Sequence, residues 1–280
     1  MEASDREARI IASLFEQVTG QQFSKDRAWR IGMMLTPLCA ERGISSLGQL
    51  AAMLEKGRDE ALAAEVVDAL LNNETSFFRD RVAFTQLTHH VLPRLAAAKR
   101  ERRLRIWSAA CSTGQEAYSL AMIFAEAEAQ WRGWTIDIVG TDLSRVAIAR
   151  ARTGVYTQFE VQRGLSVRRM IDWFDPVPDK GWRIKSEIAS MVNFGRHNLL
   201  GSLPARPAFD LILCRNALLY FSPDTRRQVL DRMAGSIAPQ GALMLGAGET
   251  ASGLSDRFCA DPTALTIFRP VAAQSVDCAA

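Results

Sequence analysis

The chain has 280 residues, of which 48% are hydrophobic and 23% charged, with a formal net charge of +3. That is apolar material enough for one large or two moderate soluble domains, and too little positive charge to argue for a nucleic-acid partner. Five scattered cysteines (Cys39, Cys111, Cys214, Cys259, Cys278) without a C-x-x-C pair, and only three histidines, argue against a disulfide framework and a zinc centre, and no metal is expected.

The opening MEASDREARI is acidic and no apolar h-region follows, so no secretory signal and a cytoplasmic location are expected. No apolar run approaches a membrane span. Residues 5–100 read as helical. Ile10, Ile11, Leu14, Phe15 and Val18 recur at helical spacing until Gly20 breaks the pattern. Ser24 is placed to cap a second helix with Ala28, Ile31, Met34, Leu35 and Leu38 on one face, and Pro37 falls late in it. Ser46 to Glu55, Glu60 to Leu71 and Val82 to Ala98 read as further helices, the last interrupted near Pro93. The basic KRERR at 99–103 reads as a solvated linker.

From 104 the period changes. Apolar runs at 104–109, 136–141, 191–195, 210–214 and 242–247 alternate with helical segments, which implies a mainly parallel α/β sheet with right-handed crossovers. Leu265–Phe268 has no room for a crossover helix and is expected to be an antiparallel edge strand. Residues 153–190 interrupt the alternation and read as a helical piece with a small hairpin, Trp182–Ile184 being one strand. The expected organisation is a helical domain over 1–88 with a linker to 103, a sheet domain over 104–270, and a disordered tail over 271–280.

Ligands of open α/β sheets sit beyond the carboxyl ends of the strands. LRIWSAACSTGQEAYS, residues 104–119, is a strand that empties into a small-residue turn and then a helix, so a ligand there meets backbone N–H groups at the helix N-terminus. The turn carries Ala110, Gly114 and Glu116, but neither G-x-G-x-x-G nor a P-loop, which points to a ligand without phosphates such as S-adenosyl-L-methionine (SAM). Asp142, at the end of the second strand, is placed as an acid for a ribose diol, or alternatively as the cap of a helix starting near Ser144. His197-Asn198-Leu199 follow the third strand; Arg215, Asn216 and Tyr220 follow the fourth. Asn198 could equally serve a local turn, and Tyr220 could be a half-buried aromatic. Upstream, Asn72-Asn73-Glu74-Thr75-Ser76-Phe77-Phe78-Arg79-Asp80 puts two phenylalanines and an arginine into a polar turn, more than helix capping requires.

Together NNETSFFRD, WSAACSTGQEAYSLAM, the GTDLS at 140–144, the HNLL at 197–200 and ILCRNALLYF resemble the CheR-type chemotaxis receptor methyltransferases, from about Thr19 to about Arg269. The resemblance implies a Rossmann-like class I SAM-dependent methyltransferase domain with an inserted small β-subdomain at about 153–190, preceded by a small all-α domain. It implies SAM as methyl donor, S-adenosyl-L-homocysteine as product, and methyl ester formation on glutamates of the cytoplasmic signalling domain of chemoreceptors. By the same resemblance Asn73, Thr75, Arg79, Ala110, Gly114, Glu116, Asp142, Asn198, Leu199, Arg215 and Asn216 contact the cofactor, and Arg79 and Tyr220 flank the transferred methyl group. Lys25, Arg27, Arg30 and Arg42 correspond to a basic receptor-facing helix, although LTPLCAERG carries fewer arginines than relatives often do. DPVPDKG between Phe174 and Trp182 looks shorter than in members that tether a receptor pentapeptide, so a tether-independent enzyme is expected, acting as a monomer without membrane insertion. A methyltransferase for a small molecule or another protein, and a non-catalytic SAM-binding regulator, stay open. No D/N-P-P-Y/F signature of amino-group methylation and no aromatic-basic patch for bases is present.

Overall fold

The computed structural model describes residues 3–23, 30–202 and 208–271. The chain divides into two compact units: residues up to Asn72 together with Tyr220–Thr225, and Asn73–Leu219 together with the chain from Arg226 onward.

The first unit is helical. Ser4 and Glu7 form a capping box that starts α1 (Asp5–Thr19), and Gly20 at φ 71° ends it, a left-handed conformation that glycine adopts without steric cost. α2 (Ile31–Glu41) follows; the Ser24 cap and Ala28 expected for this helix lie outside the described residues. α3 (Leu47–Glu55) is capped by Ser46 and α4 (Glu60–Leu70) by Asp59. Ile11, Phe15, Ile31, Leu35, Leu50 and Leu62 are buried. Gln21 bridges Phe221, and Gln22 N donates to Tyr220 O at 2.7 Å, which ties Tyr220–Thr225 into this unit.

The second unit begins sixteen residues before the expected boundary at 88. The reason is packing. α5 (Arg81–Gln86), a π-turn at Leu87–Val91 and α6 (Leu92–Ala97) place Phe84, Leu87, Leu92 and Leu95 in one core with Leu104 and Ile106 of the sheet. The expected interruption is the π-turn, which directly precedes Pro93 in the first turn of α6.

Seven strands form the main sheet: β1 (Arg103–Ala109), β2 (Thr135–Asp142), β6 (Val192–Arg196), β7 (Phe209–Cys214), β8 (Ile237–Leu245), β9 (Phe258–Asp261) and β10 (Ala264–Pro270), in the order β6-β2-β1-β7-β8-β10-β9. The five strands from β6 to β8 are parallel; β10 is antiparallel to β8 and β9 to β10. Leu265–Phe268 is thus antiparallel as expected, but β9 occupies the edge. β7 is buried throughout, as a central parallel strand covered on both faces must be. Its Asp210 is neutralised by Lys99, accepts Arg105 N at 2.9 Å, and has a side chain 2% exposed. Arg103 pairs with Asp137 at 2.7 Å. The basic linker therefore anchors the start of the sheet as well as meeting solvent.

Helices connect the strands: α7 (Gln115–Glu126) and α8 (Glu128–Trp131) after β1, then α9 (Arg145–Thr153) after β2. The interruption forms a second sheet of three antiparallel strands, β3 (Val155–Tyr156), β5 (Gly181–Ile184) and β4 (Phe174–Val177), in that order, with α10 (Gln158–Gln162) and α11 (Val167–Trp173) between β3 and β4. It has one strand more than the hairpin expected. Two further helices are α12 (Ser186–Ala189) and α13 (Pro223–Ala234).

Candidate functional site

The turn that leaves β1 is held in a conformation few side chains tolerate. Ala110 (φ 58°), Ser112 (φ 52°) and Gly114 (φ 94°) all lie in the left-handed region. The non-glycine pair, Ala110 and Ser112, costs about 1–3 kcal/mol each and persists only where the surroundings over-determine it. Here Cys111 N donates to Thr141 O at 2.9 Å, Ser112 N to Asp142 Oδ2 at 2.8 Å and Gly114 N to Cys111 O at 3.0 Å. A Cβ on Gly114 would sit 2.9 Å from Ala151 Cβ and 3.0 Å from Phe194 Cζ. Only glycine fits. The second Asp142 oxygen accepts Ser144 N at 2.9 Å, and Ser144 itself caps α9 through Ala147 N. Asp142 therefore braces the two turns after β1 and β2, while the capping role belongs to Ser144.

The Asn73–Asp80 segment runs over these strand ends. Ser112 Oγ donates to Asn73 O at 2.7 Å, Phe78 N to Ser119 Oγ on α7 at 2.9 Å, and Arg215 Nη2, past the end of β7, to Arg79 O at 2.8 Å. Fully buried Phe77 meets Tyr156 and Phe174 of the small sheet edge-on, with ring centroids 5.0 and 5.5 Å apart, and Tyr156 Oη donates to Thr113 O at 2.7 Å. The inserted sheet thus pins both the segment and the turn beneath it. Phe78 (φ 47°) and Asp80 (φ 65°) are left-handed, and half-buried Arg79 between them donates from Nη1 to Glu74 O at 3.1 Å. A hydrogen bond from Arg163 holds the Glu74 carboxyl below its ordinary range.

Arg215 links the segment to α7. Its side chain, 2% exposed, pairs with Glu116 at 3.3 Å and Asp80 at 3.6 Å and lies 5.4 Å over the Phe84 ring; its buried Nε has no hydrogen-bond partner. Ser108 Oγ donates to the other Glu116 oxygen at 2.7 Å. Asn216 is left-handed at φ 59°. Asn198 Oδ1 accepts Leu200 N at 3.0 Å, the local turn role weighed for it, and His197 N donates to Asp142 O at 2.9 Å, joining that loop and buried Leu199 to the same strand ends. Asn73 and Thr75 line, with Thr113, Gln115 and Val146, a cleft of about 490 Å³.

The geometry therefore gathers Asn73 and Asp142 through Ser112, and Arg79 and Glu116 through Arg215, past the strand ends, with Thr75, Ala110, Gly114, Asn198, Leu199 and Asn216 in the same segments. Tyr220 belongs to the first unit, where Asn72 Nδ2 donates to its hydroxyl at 2.8 Å. Arg30 is exposed in that unit, and Arg42 makes a two-pronged pair with Glu65. Lys25 and Arg27 lie outside the described residues. Sequence reasoning passed over Ser119 and Glu249. The last accepts four backbone N–H groups around Asn216 and follows the fifth parallel strand, so inspecting the polar residues past every strand end would have found it.

Burial, with Asp142 and Glu116 nearby, pushes the Cys111 thiol well up, so it stays protonated and is no nucleophile. Among the described residues no group of three His, Cys, Asp or Glu side chains could hold a metal, and no helix is long and apolar enough to cross a membrane. The residue types present fit SAM: carboxylates such as Glu116 and Asp142 are the acceptors an ammonium and a ribose diol call for, and a guanidinium such as that of Arg79 is the partner a carboxylate calls for.

The family model described as "CheR methyltransferase, SAM binding domain" matches residues 73–265. A chemotaxis protein methyltransferase 1 of Vibrio cholerae is 38% identical over 257 residues, 91% of this chain and 93% of that protein. The chemotaxis protein methyltransferase 1 of Pseudomonas aeruginosa is 38% identical over 261 residues, 92% and 95% of the two chains. That of Escherichia coli is 30% identical over 263 residues, 91% and 88% of the two chains. Among solved structures, the glycopeptide N-methyltransferase MtfA complexed with sinefungin aligns at a TM-score of 0.37 and 11% identity, over 61% of this chain and 54% of that chain.

Proposed function

Since the chain belongs to the CheR methyltransferase family and uses SAM as its methyl donor, we propose that it esterifies glutamate side chains in the cytoplasmic signalling domain of chemoreceptors. The observation that carries this reading is the Asn73–Asp80 segment tied over the strand ends by Ser112, Ser119 and Arg215, which puts the Arg79 backbone beside the Glu116 network.

When bound, SAM supplies an electrophilic methyl group on a sulfonium. A glutamate carboxylate, with a pKa near 4.3, is already ionised at neutral pH, so no general base is required. The protein's task is alignment and exclusion of water, which together can lower a barrier by roughly 7–11 kcal/mol. Asn73, Thr75, Ala110, Gly114, Glu116, Asp142, Asn198, Leu199, Arg215 and Asn216 hold the donor, with Asp142 on the ribose. Arg79 orients the incoming carboxylate. The arginine must orient more than neutralise, since a tight grip on the carboxylate would stabilise the ground state as well. Arg30 and the other basic residues of the first unit meet the acidic receptor helix; Arg42 exchanges Glu65 for a receptor acid if it takes part. The enzyme works in the cytoplasm as a monomer, without a pentapeptide tether.

Labelled methyl incorporation into receptor-containing membranes tests this. The product is expected to hydrolyse in mild alkali, as an ester does, and Arg79→Ala is expected to lose most transfer while keeping its fold. Alkali-stable label, or normal transfer by that variant, would overturn the assignment. Tight binding of a receptor C-terminal pentapeptide would overturn tether independence, and charge reversal at Arg27 and Arg30 that left methylation intact would remove the basic face from the mechanism.

A further inference from the structure

We propose that Glu249 is a positioning residue for SAM binding, acting through Asn216; this rests on the reading of Asn216 as a cofactor contact. Glu249 Oε2 accepts Asn216 N at 2.7 Å and Gly246 N at 2.8 Å, while Oε1 accepts Leu218 N at 2.7 Å and Leu219 N at 3.3 Å. One carboxylate, with about four lone-pair sites, is fully used by these four donors. It thereby joins the loop after β8 to the loop after β7, at the two adjacent strand ends.

Two details make this more than a generic loop brace. Asn216 sits at φ 59°, a conformation an L-residue holds only under constraint, and its own N–H is one of the shortest of the four bonds. A Cβ on Gly246 would fall 2.7 Å from Glu249 Oε2, 2.9 Å from Asn216 N and 3.0 Å from Asn216 Nδ2. The chain at 246 is therefore kept bare where the carboxylate meets the asparagine. Arg215, the preceding residue, is fixed separately by Glu116, Asp80 and the Arg79 carbonyl. The backbone is clamped on both sides of the Arg215–Asn216 peptide, and the Asn216 side chain inherits its direction from that clamp.

Glu249→Gln keeps the side chain's length and one acceptor but turns an NH₂ group toward two backbone donors. Binding of S-adenosyl-L-homocysteine to the full chain, measured by calorimetry, is expected to weaken by about tenfold, with cooperative unfolding retained. Glu249→Asp, which keeps both acceptor oxygens, is expected to recover part of that loss. Asn216→Ala should weaken binding similarly, and the double variant should bind within about twofold of the weaker single variant, because both changes remove the same contact. Affinity within about twofold of the parent in Glu249→Gln, with Asn216→Ala impaired, overturns the positioning role and leaves the cofactor reading of Asn216 standing. So do losses that multiply in the double variant. Unimpaired binding by Asn216→Ala removes the cofactor reading itself and this inference with it. Where Glu249→Gln does not fold, Gly246→Ala carries the same comparison against Asn216→Ala.

Discussion

Replacing Arg215 by methionine removes one positive charge from the centre of the site while keeping most of the side chain's volume. The Arg215–Glu116 pair at 3.3 Å represents roughly 5 kcal/mol of attraction at an effective dielectric constant near 20, much of it offset by desolvation. What counts is the asymmetry of removal. Glu116, with a side chain 12% exposed, keeps only its Ser108 bond, and the Arg79 carbonyl loses a charged donor at 2.8 Å. Removing one partner of such a pair costs about 3–5 kcal/mol, a large part of the 5–15 kcal/mol typical of a folded protein. Urea unfolding of Arg215→Met is expected to show that loss. Adding Glu116→Gln should recover part of it, with a coupling energy of about 0.5–3 kcal/mol, because the charge left stranded is gone. A loss under about 1 kcal/mol, or costs that simply add in the double variant, would refute the view of Arg215 as an internal pivot.

Three further outcomes follow from the same geometry. Gly164 lies at φ 116°, with a Cβ position 1.9 Å from the Phe77 carbonyl oxygen; Gly164→Ala is expected to lose more than about 2 kcal/mol in thermal unfolding and to weaken SAM binding, because the backbone leading to Arg79 must move. Asp142→Ala removes the acceptor for Ser112 N and Ser144 N as well as the proposed ribose ligand, and calorimetry is expected to show SAM affinity reduced about 10- to 100-fold, one or two charged hydrogen bonds' worth. At Asp261, burial pushes the carboxyl up, but hydrogen bonds from Arg269 and Thr263 outweigh it and set the pKa below its ordinary 3.8. The unfolded chain therefore takes up that proton first as pH falls, so this stability is present above about pH 4 and is lost as pH drops through the depressed value; Asp261→Asn should flatten the acid side of the urea-stability profile.

Repetition and chemistry explain which features could be read directly from the sequence. The parallel strands are nearly continuous apolar runs, FDLILC above all, because both faces are covered, and the residues beyond them, Glu116, Asp142 and Arg215, stand out by contrast. β9 did not stand out: FCAD is short, and its pairing with β10 is set by a tight turn at Asp261–Ala264 rather than by periodicity. The domain boundary was hidden for a related reason. Helices on either side of Asn72 have the same 3.6-residue pattern, and only the partners of Phe84 and Leu95 tell which core they join. Arg215 was readable as a site residue but not as a pivot, since its ties run to residues as far back as Arg79. Glu249 was hidden because a lone acid in GAGET carries no pattern; its meaning comes from four backbone donors brought to it by the fold.

Methyl transfer to an ionised carboxylate asks for little acid–base machinery and much alignment, and the distribution of strain answers to that demand. Five left-handed non-glycine residues, Phe78, Asp80, Ala110, Ser112 and Asn216, belong to the segments gathered past the ends of β1 and β7. At about 1–3 kcal/mol each, none would survive in a free loop. Four of the five have a backbone or side-chain group engaged by a partner: Phe78 by Ser119, Asp80 by Arg215, Ser112 by Asp142 and Asn216 by Glu249. All four partners lie on a helix or at or past strand ends of the sheet, elements whose own positions are fixed by the buried core. These partners pin the loops from within the fold, and interaction energy not spent on ordering loops is left for orienting the reacting atoms.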